Sequence, residues 1–207
     1  MALLAPVVGG LVLLGALLVV SSRDRRPLVS GTLAALVPTP FLGRPDMMPA
    51  SWVFAVAFHL AAALLCGYLL WRSGSRGRLL PVHRWLPGWA AAGFVAASFI
   101  VALLLWVPVI PPPTSTASGG DPLLHPARWA FASGIAVTVA MVQPMLLSRE
   151  PLRLASAGAL GPLAVATIGT GLGLPPTDAL LAALALVPAS AGAAAFSVSR
   201  RAEGVPS

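Results

Sequence analysis

The sequence predicts an all-α polytopic integral membrane protein, a helical bundle of seven spans with its N-terminus outside and its C-terminus inside. Three observations predict this class. The 207 residues are 57% hydrophobic and only 9% charged, with a mean hydropathy of +0.89. A soluble domain carries about a quarter charged residues, and a globule of this length has too much surface to keep so apolar a chain out of water. The apolar residues are gathered into runs long enough to cross a bilayer, which takes about 20 residues. The thirteen basic residues, all arginine, outnumber six acidic ones and sit in short clusters between those runs. That is the pattern of cytoplasmic membrane loops rather than of a nucleic-acid surface, so no nucleic-acid partner is expected.

Six runs are long enough without argument: 2–20, 51–71, 86–108, 129–147, 154–174 and 179–197, and none contains Asp, Glu, Lys or Arg. Their length and continuous apolarity exclude an outer-membrane barrel, whose strands are about 10 residues of alternating polarity. The first run has no positively charged leader and exceeds a signal-peptide apolar core, so it reads as a permanent span.

The stretch between Arg26 and Arg44, PLVSGTLAALVPTPFLG at 27–43, is the seventh. It is uncharged but short, and Pro38 and Pro40 interrupt its helix. Charge decides its reading. If it does not cross, one side of the membrane holds eight arginines (72, 76, 78, 84, 149, 153, 200, 201) and the other five (23, 25, 26, 44, 128). If it crosses, the partition becomes eleven against two. Positive residues in short loops favour the cytoplasm, so the crossing is expected. The alternative is six spans plus a short re-entrant or interfacial segment.

The tryptophans fit this frame. Trp52 and Trp71 bracket the 51–71 run, Trp85 and Trp89 open the next and Trp106 closes it, and Trp129 opens the following one. Tryptophan favours the headgroup level. The chain therefore reads as one transmembrane domain over 1–199 with a short cytoplasmic tail at 200–207. The loop at 109–127 is rich in Pro, Ser, Thr and Gly and is expected to be extended. In 154–174, Ala157 and Gly161 stand four apart, as do Gly169 and Gly173 eight residues further along the same register, and Ala185, Ala189 and Ala193 recur four apart in the last run. Small residues let helices approach closely, so these two runs are expected to pack on each other within the chain, with a homodimer face as the alternative. Pro6, Pro38, Pro144, Pro162 and Pro188 lie in or near spans, where a broken helix can serve as a hinge.

Candidate chemistry is sparse. Gln143, with Thr138 five residues earlier, lies deep in 129–147, and Thr167 and Thr170 lie in 154–174. A glutamine in hydrocarbon must find a partner, so these four are the candidates for a polar pathway or for interhelical bonding. His59 is the histidine inside a span and joins them as a polar-cavity candidate. Haem or copper ligation at His59 lacks a second ligand nearby, and a hydrogen bond to a neighbouring helix accounts for the residue equally. Met47 and Met48, with His125 on the same side, are weak candidates for soft-metal binding; apolar anchoring explains the methionines without a metal. Cys66, alone, permits no internal disulfide or multi-cysteine metal cluster. Thr177 or Asp178 can cap the last helix.

The absences weigh more. No carboxylate lies within a run, which disfavours a proton-coupled pump. There is no GxSxG elbow, HExxH or Walker lysine. No catalytic residues, metal or cofactor are assigned, and the reading leans away from an enzyme. The leading expectation is a small permease, channel or permease subunit of the plasma membrane for a neutral or weakly polar solute. A non-catalytic accessory or assembly subunit of a membrane complex is the alternative, and a membrane-embedded enzyme on a lipid or isoprenoid is third. Apart from the lipid bilayer, a homo-oligomer or a larger complex remains open as partner.

Overall fold

A computed structural model describes residues 4–43, 50–73, 87–106, 125–148 and 150–173. They form helices α1 (Leu4–Ser21), α2 (Arg25–Leu36), α3 (Ala50–Ser73), α4 (Gly88–Leu105), α5 (Pro126–Leu147) and α6 (Pro151–Gly171), with a short 3-10 helix at Thr39–Gly43 after α2. No strand occurs among the described residues. Five of these helices, all but α2, are long and apolar enough to cross a membrane. The last run at 179–197, the tail, Met47 and Met48, His83, Trp85, the loop at 109–124 and Asp178 lie outside the described residues.

The core is built on α1 and α5. α1 packs on α2, α4 and α5, while α5 packs on α1, α4 and α6. α3 lies outward, against α2. Within hydrocarbon, burial of apolar surface does not drive helices together, so close fit and shared hydrogen bonds must hold them. Glycines supply the fit. A Cβ at Gly15 of α1 would lie 2.5 Å from the Ala35 nitrogen and 2.6 Å from the Gly31 carbonyl oxygen of α2. The α1–α2 crossing is thus backbone against backbone. At the α5–α6 seam, a Cβ at Gly134 would lie 2.6 Å from Ile168 and 2.7 Å from the Thr167 hydroxyl. The small residues of α6 meet α5 here: Gly171 lies against Phe131 and Gly161 against Met141.

α2 ends where the prolines require. Val37 still donates its amide to Leu33, and the chain then turns through Pro38 into the 3-10 helix. This segment runs beside α3 in the opposite sense. Arg25, at its start, donates to the Leu70 carbonyl near the end of α3, and Phe41 packs edge-on against Trp52 near the start of α3, with ring centroids 6.3 Å apart. Two residues past the end of α6, Gly173 takes a positive φ of 99°, the left-handed stop that glycine tolerates.

Two details add to or amend the sequence expectation. Trp52 is buried beneath Phe41, and Trp129 packs on Phe99 and over Gly9. α6 also begins three residues earlier than the run 154–174. Pro151 opens it, because proline suits the first helical turn where its missing N–H is not needed. The earlier start draws Arg153 into the helix.

Candidate polar sites at the helix break and helix ends

Each proline removes an amide donor from the backbone ladder. In a continuous helix the amide of residue 40 would bond the Leu36 carbonyl; Pro40 has no N–H to offer. His59 of α3 takes over, its Nε2 lying 2.6 Å from the Leu36 oxygen. A carbonyl can only accept, so His59 Nε2 carries the proton. The Thr39 hydroxyl likewise donates to the Ala35 carbonyl at 2.7 Å. His59 is only 3% exposed, and its second ring nitrogen, Nδ1, is buried without a hydrogen-bond partner. Two turns up the same face of α3, Trp52 Nε1 is also buried and unpartnered. The break thus has an unfilled acceptor and an unfilled donor on the helix beside it.

Helix ends show the same economy. The last carbonyls of a helix lack partners within it, and side chains from other helices supply them. Arg153, 1% exposed in the first turn of α6, donates from one guanidinium nitrogen to the Val19 carbonyl at 3.1 Å and from the other to the Ser22 carbonyl. Val19 lies in the last turn of α1 and Ser22 directly follows it, where the helix dipole also favours a cation. Arg25 treats the end of α3 in the same way through Leu70. At the opposite end of the bundle, Trp106 Nε1 donates to the Gly171 carbonyl at the end of α6, 3.0 Å away. Sequence reasoning left Arg153 in a loop because it lay one residue outside the apolar run. Pro151, two residues before it, was the available signal.

The sequence candidates divide between seams. Gln143 faces α4, its Nε2 donating to the Ala91 carbonyl at 3.3 Å, while its Oε1 is buried without a partner. Thr138 and Thr167 are each placed by the α5–α6 seam at Gly134: the Thr138 hydroxyl donates to the Gly134 carbonyl at 2.8 Å, and a Cβ at Gly134 would come within 2.7 Å of the Thr167 hydroxyl. Thr138 and Gln143 are five residues apart, about 140° around the helix, which is why they serve different neighbours. Thr167 and Thr170 bond carbonyls one turn back in their own helix, at 2.8 and 2.9 Å, the usual outlet for a hydroxyl in an apolar helix. Thr138 and Thr167 thus both border Gly134 while their hydroxyls serve their own helices, and Gln143 and His59 serve α4 and α2 instead. Ser133 on α5 and Ser156 on α6 are fully buried with unpartnered hydroxyls, and composition alone had not singled them out.

His125 is exposed and stacks on Trp106 at 5.3 Å, with Arg128 over the same ring at 5.9 Å. Among the described residues, no three His, Cys, Asp or Glu side chains gather as a metal group would require. Cys66 is buried on the α3 face toward the core. In comparisons with known proteins, no family model matched the chain, and neither did any curated protein or solved structure.

Proposed function

We propose that the chain is a small permease or channel, or the permease subunit of one, for a neutral or weakly polar solute. The observation that carries this reading is the interrupted segment at 25–43 with His59 and Trp52 beside it. Interrupted membrane helices build binding sites and hinges in transporters. A buried polar atom without a partner costs about 1–3 kcal/mol, so a chain retains such atoms where water or solute meets them. The reading includes seven spans with the N-terminus outside, and a plasma-membrane location. Its support is the position of the segment's ends. From Leu70 to Trp52 is 18 residues of α3, about 27 Å at 1.5 Å per residue, close to a typical hydrocarbon core of about 30 Å.

Proteoliposomes holding the purified chain, followed by stopped-flow light scattering after an osmotic step with glycerol or urea, test the proposal. Solute entry several-fold faster than in empty vesicles is expected. Entry equal to that of empty vesicles for every small neutral solute overturns it. Gln143→Leu is run in parallel: flux unchanged from wild type removes Gln143 from the pathway and leaves the α2–α3 break as its locus.

A second reading has its own support. Arg25, Arg153, Trp106, His59 and Gln143 all bond backbone carbonyls of other helices, which is structural service and suits an accessory subunit of a larger complex. Purification in mild detergent separates the two: a persistent stoichiometric partner favours the accessory role, and a homogeneous monomer or homodimer counts against it.

A further inference from the structure

Beside the helix break, two side-chain nitrogens of α3 call for opposite partners. Trp52 and His59 stand two turns apart on one face of the helix, about 10.5 Å along its axis. Both press on the same short stretch of chain, His59 on the Leu36 carbonyl and Trp52 on the Phe41 ring. Trp52 is 5% exposed and His59 3%. Between them on that face stand Ala55 and Val56, two short side chains that are also buried.

The role of each nitrogen is fixed by its surroundings. The Leu36 oxygen holds the ring proton of His59 on Nε2, so Nδ1 keeps its lone pair and accepts. Trp52 Nε1 only donates. Neither nitrogen has a hydrogen-bond partner in the chain. The buried hydroxyls of the facing segment are already spent, Thr32 on the Leu28 carbonyl and Thr39 on the Ala35 carbonyl. From Trp52 to Trp71 the helix carries no Asp, Glu, Lys or Arg, so nothing on it balances an ion. A neutral solute that only accepts hydrogen bonds satisfies Trp52 and leaves His59 as it was. One that also carries an O–H or N–H satisfies both in turn as it moves along α3. Each such bond offsets the cost of taking a polar group out of water, which an apolar wall leaves uncompensated.

Resting on the permease reading above, we infer that the break selects small neutral solutes that bring a hydrogen-bond donor, the class of short alcohols, polyols and primary amides. Trp52 Nε1 receives the solute's oxygen, and His59 Nδ1 receives its O–H or N–H. Solutes of equal size and charge that only accept, such as ethers, stop at Trp52. Water shares this chemistry in its smallest form and is tested beside the solute.

Propanediol and dimethoxymethane are isomers, the first with two hydroxyls and the second with none. Each, carrying a carbon isotope label, is added to vesicles that hold the full chain with isotope-labelled histidine. Solid-state NMR then reads the dipolar coupling between the solute carbons and His59 Nδ1, the resonance that His59→Gln removes. Trp52 emission is read as the difference between wild type and Trp52→Phe, a substitution the fold tolerates because the indole N–H bonds nothing in the chain. Propanediol is expected to couple to His59 Nδ1 and to shift Trp52 emission to the red. Dimethoxymethane is expected to give the red shift without the coupling. Equal coupling of both isomers at His59 overturns the inference, and so does coupling of neither. Magnetisation transfer from water protons to the His59 ring that propanediol does not diminish overturns it in favour of a resident water. The glycerol flux assay decides the permease reading separately. Flux without propanediol at His59 keeps the permease and removes this selectivity. Propanediol at His59 in vesicles that pass no solute upholds the donor requirement of the site and removes transport.

Discussion

The polar side chains of the core act one at a time, each on a backbone oxygen that the helices leave over. His59 is the sharpest case, because Pro40 creates the need that it meets. His59→Leu removes the donor and strands the Leu36 carbonyl in an apolar setting. It should lower stability by about 1–3 kcal/mol, whereas His59→Gln, which can offer an amide N–H, should recover part of that loss. Unfolding of the purified protein in mixed micelles by rising denaturing detergent measures both. Equal stability of wild type and His59→Leu would show that the bond contributes nothing. The sequence displayed His59 as a histidine within a span, and Pro40 as a break; it did not display that one answers the other, since the bond joins His59 to Leu36, 23 residues away. Arg153 was hidden differently: counting charges against apolar runs assigns an arginine at a run's edge to water. Only the position of α1's last carbonyls makes its burial intelligible.

Helices in this bundle meet where side chains are smallest, and the meeting points are unequal. Gly15 and Gly31 touch backbone to backbone, while Gly10 of α1 and Gly93 of α4 have nothing within 4 Å of an added Cβ. Gly15→Val should therefore cost at least about 1–3 kcal/mol from forced separation of α1 and α2. Gly10→Ala and Gly93→Ala should leave the fold intact and raise stability by about 0.5–1 kcal/mol, the gain that alanine brings to a helix interior when its Cβ meets open space. Thermal unfolding of the three variants in one detergent compares them directly. A Gly15→Val protein as stable as wild type would mean that α1 and α2 do not pack as described. The element list itself was largely legible: α1, α3, α4, α5 and α6 fall on apolar runs read from composition, and the prolines at 38 and 40 marked the end of α2. Partnerships were not legible. The repeat of small residues on α6 suggested packing on the 179–197 run, which lies outside the described residues, whereas the described contacts of Gly134, Gly161 and Gly171 lie between α5 and α6.

Across the whole molecule, exposure sorts the helices. α3 and α4 show broad apolar faces, with Phe54, Leu64, Trp89, Leu104 and Leu105 each more than half exposed, while two thirds of α6 is buried. A bundle that turns such surfaces outward belongs in a bilayer. The proposed orientation rests on arginine distribution and on the 25–43 segment linking the two ends of α3. A reporter fused after Arg26 should behave as cytoplasmic and one fused after Gly43 as periplasmic. The same side reported by both would make the segment re-entrant and reverse the placement of the N-terminus. Class and approximate span limits were legible here because a hydrocarbon solvent imposes length and apolarity on every crossing. Activity was not, because a reaction or a solute is specified by a few converging polar groups, and the recognisable ones converge on backbone carbonyls instead.

The clasp of Arg153 on α1 also has a history in time. Its two partners lie 134 and 131 residues upstream, so at about 5–20 residues per second the first helix waits about 7–27 s for its clasp to be synthesised. During that interval the end of α1 must lean on water or on the translocation machinery. A nascent chain that stops short of α6 carries an unfinished first helix, and that is the form in which a quality-control protease would meet it.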